Sequence, residues 1–80
     1  MHREKILEFL KQYKIEKGQN YTINKIGVFG SAARDEVSVD SDVDIVVELE
    51  QADLFYLVGI KNDLKEIFKR DVDIIRYNSN

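Results

Sequence analysis

Cysteine and proline are both absent from these 80 residues. Without cysteine there are no disulfides and no thiolate chemistry, and nothing tests the redox compartment. Without proline, and with no low-complexity tract or internal repeat, no linker divides the chain, so it reads as a single domain, 1–80. No apolar run is long enough to span a bilayer and there is no signal-peptide pattern; a cytoplasmic location is the expectation. A basic excess is missing too, since 12 Lys and Arg stand against 15 Asp and Glu, a net charge of −3. That balance argues against a general nucleic-acid binder. The single histidine, His2, sits near a chain end and is assigned no role.

What is present is ordinary for a folded domain: 44% hydrophobic and 34% charged residues. A chain this short buries only about 60% of its unfolded surface, so its core will be thin. From Arg3 to Lys17 the apolar residues Ile6, Phe9, Leu10 and Tyr13 recur at helical spacing, and Gly18 follows as a terminator. Lys25 to Phe29 is a short strand with Ile26 and Val28 on one face, ending at Gly30-Ser31, with a helical turn expected through Arg34 and a polar loop from Asp35 to Ser41. Val43 to Leu49 is the clearest strand, with Val43, Ile45, Val47 and Leu49 sharing a face. Asp53 stands as an N-cap before a second amphipathic helix carrying Leu54, Leu57, Ile60, Leu64, Ile67 and Phe68. Val72 to Tyr77 is the third strand. The order helix, strand, strand, helix, strand implies an α/β (α+β) fold, a small mixed sheet with helices packed on it. Strand order is not readable from this pattern.

Asp42 and Asp44 begin a strand two residues apart, so their side chains point to one side and the core-facing Val43 and Ile45 to the other. Two residues of strand rise separate them by about 6–7 Å. At an effective dielectric near 20 they repel by roughly 2–3 kcal/mol, and a divalent cation between them reverses the sign. Hard carboxylate oxygens suit Mg²⁺ or Mn²⁺, with phosphate oxygens and water completing the shell. Alone, Asp-X-Asp is most simply the solvent face of an edge strand. A third acid, Asp73, stands inside the apolar run of another strand, with Asp71 as an alternative ligand on the same side. If Asp42, Asp44 and Asp73 hold cations, twelve acids remain against twelve bases. Gly30-Ser31, between a strand and a helical turn, offers backbone N–H groups and a hydroxyl to an anion. A carboxylate pair beside such a turn is what handling a nucleoside triphosphate requires.

The stretch from Gly30 to Glu48, GSAARDEVSVDSDVDIVVE, resembles the signature of the nucleotidyltransferase superfamily that includes DNA polymerase beta. The shared pattern is Gly-Ser, ten residues, Asp-X-Asp, and a third Asp on a later strand. It looks most like the minimal nucleotidyltransferases, in which an arginine three places after the serine is typical; Arg34 holds that place and Ser41 precedes the acid pair. Asp35 stands where the family usually has glycine, and family members commonly continue into a further helix and strand, so the palm-like fold is expected in a C-terminally short form.

The resemblance implies Asp42, Asp44 and Asp73 as catalytic residues and as ligands of two Mg²⁺ ions (Mn²⁺ being possible), with Gly30, Ser31 and Arg34 binding the phosphates of ATP. Arg34 is equally a surface arginine paired with Asp35 or Glu36. The implied reaction moves AMP onto a partner protein, a HEPN-type toxin, so that the chain acts as its antitoxin. Two other functions compete: a non-catalytic module that covers the toxin, and a transferase acting on a hydroxylated small molecule such as an aminoglycoside. Tyr21, Phe55, Tyr56 and Tyr77 are candidates to stack on a base, with core packing the simpler use of each.

Overall fold

The structure is a computed structural model that describes residues 2–30 and 42–77. Five elements follow one another: α1 (Arg3–Lys17), β1 (Ile23–Val28), β2 (Val43–Leu49), α2 (Leu54–Phe68) and β3 (Val72–Arg76). The strands form one sheet in the order β1-β2-β3, with β1 antiparallel and β3 parallel to the central β2. A parallel pair cannot be joined by a tight turn, and α2 supplies the crossover between β2 and β3.

Alternation in β2 sets the layers. Val43, Ile45, Val47 and Leu49 are buried, while Asp44, Val46 and Glu48 between them are half-buried. Both helices cover the first face. Ile6, Leu10 and Tyr13 of α1 join Ile60, Leu64 and Phe68 of α2 in one core cluster with the β2 residues, Ile23 and Val72. Two cross-helix contacts fasten the pair: the Phe9 and Phe68 rings meet edge to face at 5.9 Å, and Tyr13 Oη donates to Asp63 Oδ2 at 2.8 Å. Burial, with Asp63 close by, pushes the Tyr13 hydroxyl pKa well up, so it stays a donor.

Local chemistry explains most element ends. Asp53 caps α2, its Oδ1 accepting from Phe55 N at 2.8 Å. Gly18 N donates to Lys14 O at 2.8 Å where α1 stops. α2 ends on Lys69 in the left-handed conformation (φ 56°, ψ 38°), where glycine is the usual occupant. Some boundaries and faces differ from the sequence expectation; β1 and β3 each end one residue early, at Val28 and Arg76. β1 starts at Ile23 rather than Lys25, because the register shifts between them and Asn24 is extra. That bulge lets Ile23 and Ile26 share the core side, which breaks the period of two in the sequence. Leu54 and Ile67 are exposed; at about 100° per residue they stand roughly 80° and 60° from the centre of the Ile60-Leu64-Phe68 stripe. Phe55 and Tyr77 are not core residues either: Phe55 is 85% exposed in the first turn of α2, and Tyr77 follows β3 on the uncovered side.

Candidate active site

The face of the sheet that the helices leave open is built from alternate residues. In the parallel register of β2 and β3, Val43 is opposite Val72, Asp44 opposite Asp73 and Ile45 opposite Ile74. The outer pairs face the core, so Asp44 and Asp73 stand side by side on the open face, on strands about 4.8 Å apart. Neighbouring β2 and β3 thus bring two of the three sequence-selected acids together. The third, Asp42, is exposed one residue before β2.

Electrostatics register the crowding. The Asp44 carboxyl is raised above its ordinary 3.8, first by desolvation, then by repulsion from Asp73 and from Asp42. Asp73 and Asp42 are close enough to disfavour the charge on Asp44, the situation that a cation relieves. Among the described residues, no three acidic or histidine side chains are already drawn into a cation cage. The fit rests on donor chemistry instead. Magnesium takes one or two carboxylates and completes its shell with waters and substrate phosphate, so an in-register pair with open space before it suits that ion better than a closed cage. Asp71 leads elsewhere: its Oδ1 lies 3.3 Å from Lys65 Nζ, and its backbone O accepts from Val43 N at 3.0 Å.

Gly30 belongs to the same place. Its φ is +64°, a left-handed conformation that a side chain resists. A Cβ built on it would overlap Asp44 Oδ2 and stand 3.3 Å from Cγ. Phe29 N donates to Asp44 O at 3.0 Å, which ties the end of β1 to the residue that carries the acid. The bend after β1 therefore passes directly against the Asp44 carboxylate, with no side chain between them. Ser31 and Arg34 lie outside the described residues.

Further along the open face is a feature that sequence reasoning missed. A groove of about 280 Å³ is lined by residues 25–27 of β1, residues 46–48 of β2 and Tyr77. Tyr77 is held over it because its N donates to Val47 O at 2.6 Å, which prolongs the β2–β3 ladder by one residue. Val46 and Glu48 are two and four residues beyond Asp44, and Ile75 and Tyr77 two and four beyond Asp73, so acids and groove share one face. The only signal in the sequence was this alternation, and it becomes readable once the strand register is known. Tyr21 and Tyr56 pack on each other, with ring centroids 5.9 Å apart, and are partly buried against the core.

Comparison with known proteins identifies the family of the chain. A family model described as polymerase beta, nucleotidyltransferase matches residues 4–80. Protein adenylyltransferase MntA of Thermococcus cleftensis is 34% identical over 77 residues, covering 95% of this chain and 78% of that protein. Two proteins of Methanocaldococcus jannaschii that carry the provisional name of protein adenylyltransferase are 36% and 39% identical, each over 75 residues. Those matches cover 92% of this chain, with 76% of the first relative and 87% of the second. No solved structure matches the chain. Among the described residues no helix is long and apolar enough to cross a membrane. The chain therefore belongs to the polymerase beta family of nucleotidyltransferases, as an enzyme of the minimal nucleotidyltransferase branch.

Proposed function

We propose that this chain is a Mg²⁺-dependent adenylyltransferase that moves AMP from ATP onto a hydroxyl of a partner protein, a HEPN-type toxin, and so serves as its antitoxin. The observation that carries the reading is the register of Asp44 against Asp73 on the open face, with the Gly30 bend against Asp44. The relatives' names, protein adenylyltransferase, support a protein acceptor.

In this reading the Gly30-Ser31 turn, helped by Arg34, holds the β- and γ-phosphates through backbone N–H groups. Asp42, Asp44 and Asp73 hold the cations. The chemistry that Mg²⁺ (or Mn²⁺) would supply there is charge neutralisation for the departing pyrophosphate and a lowered pKa for the attacking hydroxyl. Asp73 faces the acceptor, orients its hydroxyl and takes its proton. The acceptor oxygen bonds to the α-phosphorus as the bond to pyrophosphate breaks, in line on the opposite side. Gly30 keeps Asp44 accessible, because any side chain there would occupy the carboxylate's position.

The test is incubation with labelled ATP and Mg²⁺, with and without the protein encoded beside it, against the Asp42→Asn, Asp44→Asn double variant. Label on the neighbour that the variant cannot add is the expected result. A second reading, toxin neutralisation by surface cover without chemistry, draws on exposed Leu54, Phe55 and Val58 in α2, apolar side chains with no place in the catalysis. It requires tight binding of the neighbour that the double variant retains, with no label. Transfer to an aminoglycoside without any protein partner would replace both.

A further inference from the structure

In the proposed reading the groove over Val46 takes neither phosphate nor cation, yet it shares the open face with both acids. In-line displacement fixes which substrate can reach it. With pyrophosphate leaving on the Gly30 side of Asp44, the attacking hydroxyl must arrive from the other side, over Asp73 on β3. From Asp73 the open face runs along β3 through Ile75, 50% exposed, to Tyr77, 56% exposed, the wall of the groove. Gly27 leaves its floor open because it carries no side chain; a Cβ there would stand in ordinary contact with Val46 Cγ1, at 3.8 Å. Lys25 and Glu48, opposite each other in the register, put one charge of each sign on the rim. Such a rim takes a neutral apolar group, flanked by backbone amides, more readily than an anion.

We propose that the groove is the acceptor subsite: it takes an apolar side chain of the acceptor polypeptide, about three or four residues from the hydroxyl that is modified. The spacing follows from the strand. Tyr77 is four residues beyond Asp73, about 13 Å at strand rise, and an extended peptide lying along β3 covers that distance in the same number of residues. The inference rests on the proposed adenylyl transfer for its direction of approach. The enzyme then selects its acceptor by a local peptide pattern, a hydroxyl residue and an apolar anchor at fixed separation, as well as by docking of the whole partner.

The probes are two capped nonapeptides, each with one tyrosine, and with leucine four residues before or four residues after it, and their Leu→Ser counterparts. Titrated into the ¹⁵N-labelled full chain with Mg²⁺ and a non-hydrolysable ATP analogue, one leucine peptide should shift the amide signals of Gly27, Val46 and Glu48. Its serine counterpart should bind about tenfold more weakly, the loss expected for one buried aliphatic side chain. Tyr77→Ala, at an exposed position that leaves the core intact, and Gly27→Val, which fills the groove, should each weaken the leucine peptide and leave the serine peptide unchanged. Equal affinities for leucine and serine peptides, or shifts confined to other surfaces, would overturn the acceptor subsite. Label transfer from ATP separates this from the parent reading. Groove-dependent binding with no label on the tyrosine removes the transferase and keeps the groove, whereas label that ignores leucine and Tyr77→Ala removes the groove alone.

Discussion

At Asp44 chemistry and stability oppose each other, because its carboxylate is desolvated and faces two others. Folding raises its pKa above 3.8, so the folded chain keeps a proton that the unfolded chain releases. The sign follows: the penalty is absent below the ordinary value, grows as pH rises through the window up to the raised value, and is complete above it. Asp44→Asn should therefore be more stable than the parent at pH 7, with the gap closing toward pH 3.8, in thermal melts across that range. Transfer activity should fall by at least about a hundredfold, since a cation ligand is lost. An Asn variant less stable than its parent at pH 7 would mean that the carboxylates do not repel. Gly30 shows the converse. Gly30→Ala should cost about 1–2 kcal/mol for the left-handed backbone alone, and more because the new Cβ displaces the Asp44 carboxylate. Urea melts give that cost, and labelled-ATP transfer should drop with it. The sequence identified both residues from spacing and type. What it lacked was their contact, which depends on where β1 ends against β2.

The elements were legible wherever periodicity was unbroken. α1, β2 and α2 have their expected limits because each carries a regular apolar stripe and a recognisable end, Gly18 or Asp53. β1 was read two residues short, since the bulge at Asn24 puts Ile23 and Ile26 on one side and defeats a period of two. Strand order was closed to the sequence for a physical reason: alternation says which residues share a face and nothing about which strand is the neighbour. The pairing of Asp44 with Asp73, on which the site depends, comes from the β2–β3 register alone. Two helix ends invite measurement. Asp53→Ala removes the acceptor for Phe55 N and should cost about 1 kcal/mol. Lys69→Gly relieves a left-handed residue at the α2 C-terminus and should stabilise by about 1 kcal/mol, the exposed Lys69–Glu66 pair contributing little. Urea midpoints at constant slope decide both. A destabilised Lys69→Gly would show that α2 ends by some other constraint.

For the whole molecule, size makes every site interaction count. An 80-residue chain has a stability of roughly 4–12 kcal/mol at typical values per residue. Emptying one core position such as Ile45, fully buried under both helices, would remove about 2–5 kcal/mol of it. Against a total of that size the penalty on the Asp44 carboxylate matters, and so does its relief. ATP with Mg²⁺ at a hundredfold excess over its dissociation constant adds about 2.7 kcal/mol. At roughly 4–8 °C per kcal/mol for a domain of this size, the melting temperature should rise by about 10–20 °C. Asp44→Asn and Asp73→Asn should lose most of that rise, because the ligand they no longer hold cannot stabilise them. The parent and the Asp44→Asn variant should then exchange rank: without ligand the variant melts higher, and with ATP and Mg²⁺ the parent does. Binding that ignored the acids, or acids that served only solubility, would leave the order of the two melting curves the same in both conditions, so the crossing is the signature of cations held between β2 and β3.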